Sequence, residues 1–334
     1  MTESEPPGNN AHAYGLLSGD LLGSSLGGYE PQYAVPPARS RPREEYGVAY
    51  QDPAALRRRL QLELRRYRSE AGMTQKDVAE AMDWSPSKVI RIESGAVAVS
   101  TNDLRVLLSH YDVTDRGVVE ELIQLAKSSK RSSWNEYRDV ISSQAATYFG
   151  YEASASIIRH YEPQLVPGLL QTEEYARALL RDVFRYSEDK IERHWRLRQE
   201  RQEILERDRQ PEMFFILDES ALHRDIGGPK TMSRQRDRLE ELAAIPQVSI
   251  QVMPFNHGGY PGLLGPFILL EFTDMDTVLF LESRIDSVTR DDTEEIGRYL
   301  DMFQEMERSA ASLPQGLKDP VSKIKARESL EGMT

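Results

Sequence analysis

Ser85, Ser87, Lys88 and Arg91 place two short hydroxyls and two long cations where helical spacing turns them outward, with Val89 and Ile92 turned inward. Side chains of these types hydrogen-bond base edges and phosphates in a major groove, so the chemistry they suggest is recognition of double-stranded DNA. The stretch TQKDVAEAMDWSPSKVIRIESG, from Thr74 to Gly95, contains the elements that must hold them. Thr74 and Asp77 have the spacing of a capping box, which starts a helix at Gln75. Val78, Ala79 and Met82 form its inner face, and Ala79 is small enough for a second helix to cross closely. Asp83 and Trp84 make the turn, Ser85 caps the second helix, Pro86 takes its first position and Gly95 closes it as a left-handed cap. The stretch reads as a helix-turn-helix. A plain pair of packed helices with a solvated charged face is the competing account, but caps, small residue, turn and outward cations agree in one register.

The 334-residue chain carries a net charge of −12, which argues against nucleic acid spreading over its whole surface. Between Pro53 and Ser100, however, nine basic side chains, Lys76 among them, stand against six acidic ones, a surplus of three that leaves −15 for the remainder. The cationic footprint therefore falls on the helix-turn-helix, and the acidic remainder repels DNA elsewhere. Cysteine is absent, which excludes disulfides, thiolate zinc sites and cysteine nucleophiles and makes a reducing cytoplasm the expected location. The opening MTESEPPGNN lacks the regions of a signal peptide, and no apolar run approaches membrane-spanning length, so no membrane partner is expected.

Residues 1–52 are rich in Gly, Pro and Ser and read as a disordered tail, within which Tyr14, Leu16, Leu17, Leu21 and Leu22 leave a docking segment open. Residues 53–130 are expected to form five helices. Leu56, Leu60, Leu64 and Tyr67 mark the first, and the motif supplies two. Leu104, Leu107, Leu108 and Tyr111 mark a fourth behind a Ser100–Asp103 capping box, and Val118, Val119, Leu122, Leu125 and Ala126 a fifth. Lys127–Ser133 reads as a hinge or junction. Over 131–312 a mixed α+β domain is expected. It has an apolar extended piece after Tyr151, a helix capped near Thr172, and a long charged helix from about Ser187 to Asp208 on Ile191, Trp195 and Leu205. Strands follow at Met213–Asp218, Val248–Met253, Phe267–Phe272 and Val278–Leu281, the last two as a hairpin, with a helix from about Thr231 to Ala244 between the first two. A final helix uses Ile296, Leu300, Phe303 and Met306, and 313–334 is a charged tail. The fold class is thus mostly α, then α+β with a small sheet.

No phosphate-loop, GxSxG or HExxH pattern occurs, so neither an enzyme nor a cofactor is expected. Glu219 and His223 have metal-like spacing, but a metal site needs three or four ligands, and a solvated or capped pair is expected instead. Gly227, Gly228, Pro229 and Lys230 precede a helix whose start could hold an anion; an ordinary loop is the simpler account. The segment Asn256–Pro266 (NHGGYPGLLGP) reads as a lid-like loop or as a tight, inert connection. A small effector, if one binds, is expected near Tyr161, Gly168, Gln171, Glu219, Phe255 and Phe267.

The Thr74–Gly95 stretch resembles the lambda-repressor-like, Xre-type DNA-binding domain. That resemblance implies a five-helix fold, a phosphate contact from Gln75, base reading by Ser85, Ser87, Lys88 and Arg91, and a structural brace between Arg68 and Glu93. Gln75, Lys76, Ser85, Ser87, Lys88 and Arg91 make up the expected DNA-binding set. One departure is Asp83, where the family usually has Gly; Asp tolerates the left-handed backbone better than most residues. Farther on, YEPQLVPGLLQTEEYARALL, RQERQ, LDESALHR, IGGP, IQVMPF, GPFILLEF and LES, in that order, resemble a domain of unknown function found behind such units in filamentous soil bacteria. The resemblance implies an antitoxin-like or developmental transcriptional regulator, often encoded beside a small partner protein. The expected function is sequence-specific DNA binding by a homodimer, with the second domain serving dimerisation and response to a partner or effector. The alternative is an antitoxin-like interaction protein that neutralises the neighbour-encoded partner and autoregulates its operon.

Overall fold

Asp52 is buried in extended conformation and accepts the amide of Ala54, which starts helix α1 (Pro53–Glu70) with proline at its first position. The computed structural model describes residues 51–130, 133–282 and 287–313. The expected tails, Tyr14 and its neighbouring leucines included, lie outside the described residues but for their innermost positions.

Helices α2 (Gln75–Ala81), α3 (Pro86–Glu93), α4 (Thr101–His110) and α5 (Arg116–Ser128) complete an N-terminal helical region. Each start is capped by the residue before it: Thr74 with Asp77 in a capping box, then Ser85, Ser100 and Asp115. Leu60, Leu64, Val78, Ala79, Val89, Ile92, Leu104, Leu107, Leu108 and Ile123 pack into one core.

The second region is built on a seven-stranded mixed sheet. Its strands are β1 (Ile157–Glu162), β2 (Glu212–Asp218), β3 (Val248–Met253), β4 (Phe267–Glu271), β5 (Val278–Glu282), β6 (Ser287–Arg290) and β7 (Ala311–Ser312), in the order β6-β5-β4-β1-β2-β3-β7. β1, β2 and β3 run parallel, and the other neighbours pair antiparallel. Parallel neighbours require crossovers. Helices α6 (Ser143–Ser154), α7 (Glu173–Asp182), α8 (Glu188–Gln202), α9 (Glu219–His223), α10 (Pro229–Ala243) and α11 (Thr293–Ser309) complete the region; α7 and α8 form the first crossover, α9 and α10 the second. Alternate residues feed two cores: Met213, Phe215, Leu217, Ile250, Ile268, Leu270 and Phe280 on one face, Ile216, Phe267, Leu269 and Leu279 with Phe303 and Met306 of α11 on the other. Burial on both faces explains the unbroken apolar runs MFFILD and FILLEF.

Three particulars differ from the expected layout. The long charged helix stops at Gln202 and tightens into a 3-10 turn over Glu203–Glu206. The extended piece after Tyr151 begins as the end of α6, before β1. The hinge expected at Lys127–Ser133 opens inside α5, and the Ser129 carbonyl accepts Arg57 Nη2 at 2.8 Å, which ties it to α1; residues 131 and 132 of that stretch lie outside the described residues.

α1 belongs to both halves. Ala55 packs into the core of the sheet region while Leu60 and Leu64 pack into the helical core. The Asp52 amide donates to Ser154 Oγ on α6 at 2.8 Å. Gly150 of α6 admits this contact, because a Cβ there would lie 2.4 Å from Asp52 Oδ1 and 2.7 Å from Ala54 Cβ. Arg58 and Arg59 reach Asp291 at 3.5 Å and Asp274 at 3.1 Å.

Candidate nucleic-acid interface

The turn between α2 and α3 is closed by the Trp84 amide donating to Ala79 O at 2.8 Å, with Asp83 left-handed at φ +52°. Thr74 gives its amide and its hydroxyl to Asp77, both at 2.8 Å, and these bonds hold the Asp77 carboxyl below its ordinary range. Ser85 Oγ accepts the Lys88 amide at 3.3 Å, so α3 begins with the exposed Ser85 and Ser87 at its open end. Gly95 ends the segment at φ +72°, a left-handed backbone that favours glycine.

Glu93 is the hub of the motif. It is 3% exposed and accepts Arg68 Nε at 2.6 Å, Arg68 Nη2 at 3.2 Å and Gln75 Nε2 at 2.8 Å, while its backbone carbonyl accepts Arg65 Nε at 3.0 Å. The last turn of α3 is thereby pinned to α1 twice and to the first residue of α2 once. Charge-assisted, two-point bonds of this kind fix orientation as well as distance. Arg68 also donates to Met73 O at 3.0 Å, which holds the loop before α2.

Beside this hub the Tyr111 hydroxyl is buried without a hydrogen-bond partner, and burial, then the Glu93 charge, push its pKa up. A buried hydroxyl without a partner forfeits its solvation. Tyr111→Phe is expected to raise unfolding stability by about 1 kcal/mol, read as a higher urea midpoint at unchanged slope.

The six expected DNA-binding residues divide in two. Ser85, Ser87, Lys76 and Arg91 are exposed; Lys76 makes only a long 3.8 Å contact with Glu80, and the Arg91 guanidinium has no ion-pair partner among the described residues. Gln75 is half-buried and committed to Glu93. Lys88 folds back, its Nζ 3.6 Å over the Trp84 ring and 3.5 Å from Asp103. Its ammonium is therefore held at the side of α3 against the start of α4. Sequence reasoning passed over Ile90, which is 49% exposed on α3 next to Arg91. Its signal was present: Val89 and Ile92 already fill the inward positions, so a third apolar residue has to point out.

The six residues expected around an effector meet in pairs, Tyr161 with Phe267, Glu219 with Phe255 and Gly168 with Gln171, and do not line one common cavity. Tyr161 and Phe267 are buried in the core beneath α11. Tyr260 donates to Asp218 Oδ2 at 2.5 Å and so accepts from Tyr161, 2.9 Å away, which clasps the Asn256–Pro266 segment to the end of β2. Glu219 accepts the Phe255 amide at 2.8 Å and its other oxygen lies 3.2 Å from His223 Nε2, while the Phe255 side chain is largely exposed. Gly168 and Gln171 lie with the other core, where Gln202 Nε2 donates to both their carbonyls at 3.0 and 2.9 Å.

A braced helix pair that exposes serines, an arginine and an isoleucine on one cationic segment has the form of a helix-turn-helix. Residues 59–122 match the family model described as a helix-turn-helix domain. Residues 145–315, just over half of the chain, match the domain of unknown function DUF5753, and the chain belongs to that family. No curated protein and no solved structure matches it. Among the described residues no helix is long and apolar enough to cross a membrane.

Proposed function

We propose that this chain is a sequence-specific transcriptional regulator of the Xre type that binds double-stranded DNA as a homodimer. The recognition element is α3. Arg91 and Ser87 read base edges, Ile90 meets thymine methyl groups, and Lys76 and Ser85 contact phosphate. Lys88, swung off Trp84, adds a phosphate contact at the flank. Two copies place their α3 helices in successive major grooves about 34 Å apart. The DUF5753 region supplies dimerisation and the response to a partner or effector. The observation that carries this reading is the exposed outer surface of α3 on a helix whose other side is fixed by Glu93.

The test is selection of a binding site from a random duplex library, followed by titration of the selected site at two salt concentrations. Arg91→Ala is expected to weaken that site by about 1–3 kcal/mol, roughly 5- to 150-fold, and to relax preference at one base position. Lys76→Ala is expected to weaken all sequences alike and to reduce the salt slope by about one. A wild-type chain that enriches no sequence, or an Arg91 variant that binds the selected site unchanged, would remove the assignment.

A further inference from the structure

Between α6, α7, α8 and the sheet edge lies a cavity of about 600 Å³ that no residue of the expected effector set lines. That volume is in the range of sites that take small organic ligands. Its walls are about evenly polar and apolar, the apolar side being formed by Phe149, Leu180, Phe184 and Leu197. Phe184 is 49% exposed although it faces this cavity.

The polar groups in it are unusual. Arg198 and Arg201 both line the cavity, but they are not equivalent. Arg201 is ion-paired, with Nε and Nη2 on the Glu152 carboxylate at 2.9 and 3.0 Å. Arg198 has Nε and Nη1 buried with no hydrogen-bond partner, and burial followed by repulsion from Arg201 lowers its pKa to about 10. Next to it the His194 ring stacks on Tyr186 at 4.9 Å, its Nε2 also buried without a partner. Burial, then Arg198 and Lys190, lower the His194 pKa to about 4, so the ring is neutral near pH 7 and free to donate one hydrogen bond. Glu282, on the same lining, attracts both guanidiniums through space. Guanidinium donors that are buried and unmet are destabilising until a partner arrives.

We propose that this cavity is a binding site for a small carboxylate with an apolar or aromatic body, its acid group on Arg198 and His194 and its body against Phe149, Leu180 and Phe184. Such a ligand satisfies the open donors and covers the exposed face of Phe184. It also touches α6 through Ala145 and Phe149, one turn before Gly150 meets the start of α1. The proposal stands apart from the DNA-binding reading, and its test uses no DNA.

The experiment is ligand-observed NMR on the full chain with phenylacetate, indole-3-acetate and octanoate, each beside its primary amide. At least one acid is expected to bind saturably with one equivalent per chain, and its amide about tenfold or more weaker. Arg198→Gln is expected to remove that preference. Ala145→Phe, which fills the cavity and leaves the arginines untouched, is expected to abolish binding of acid and amide alike. Failure of all three acids to bind at millimolar concentration overturns the proposal. So does equal affinity for acid and amide, or wild-type affinity in a folded Ala145→Phe variant.

Discussion

Replacing Glu93 by Ala is expected to lower the stability of the helical region by about 3–5 kcal/mol, because it leaves Arg68 partly buried and uncompensated. The Arg68 and Glu93 side chains are 18% and 4% exposed, so solvent cannot take over for the missing partner. The loss goes beyond one ion pair, since Gln75 is released and the last turn of α3 keeps, of its polar ties to α1, only the Arg65 bond to the Glu93 carbonyl. Hydrogen exchange should show the effect concentrated in α1, α2 and α3. A double change, Arg68→Met with Glu93→Leu, removes both charges and should recover most of the stability. Site-specific DNA binding should not recover with it, because Gln75 stays unanchored. A Glu93→Ala variant that loses less than about 1 kcal/mol would show that the hub is not what fixes α3.

Glu152→Ala is expected to cost a comparable amount, about 3–5 kcal/mol, but in the sheet region. Its carboxylate is 3% exposed, holds Arg201 by two bonds and accepts the Tyr148 hydroxyl at 2.7 Å. Arg201 in turn lies 4.0 Å from the centroid of the Phe149 ring, and Tyr148 stacks on Phe280 at 4.2 Å. Removing the acid leaves Arg198 and Arg201 side by side with only the through-space attraction of Glu282. Urea unfolding of the full chain measures this, and Glu152→Gln, which keeps the shape and one acceptor, should fall between wild type and Ala. Equal stability of all three would mean that water already reaches Arg201.

What could be read from the sequence was what short-range geometry decides. Thr74 with Asp77, Ser85 with Pro86, Ser100 with Asp103 and Thr172 each mark a helix start, because a cap and its amide lie within three residues. MFFILD and FILLEF were legible as strands because both sides of the sheet are covered. β6 and β7 were not: SVTR is half-buried to exposed and β7 has two residues, so neither has a pattern to detect. Asp83 was legible as the strained turn position, and φ +52° is where it sits.

The site beyond α3 was hidden for a different reason. Strand residues alternate between two cores, so Tyr161 and Gln171 lie ten positions apart yet serve opposite faces, and nothing local assigns a loop to a face. The open donors of Arg198 were invisible as well. An arginine on a charged helix reads as solvated until its surroundings are known, and the contrast with Arg201, three residues on, exists only in three dimensions.

Because Ala54 and Ala55 of α1 are seated in one core and Leu56, Leu60 and Leu64 in another, the chain has no clean seam at which the helix-turn-helix region could be exchanged. A chimera cut just before Pro53 would take Ala55 and Arg58 away from the surfaces that shaped them, while a cut after Glu70 would strip that region of Leu60, Leu64 and Arg68. If α3 is the recognition element proposed above, new specificity is therefore more readily reached by changing its outward residues than by trading whole modules.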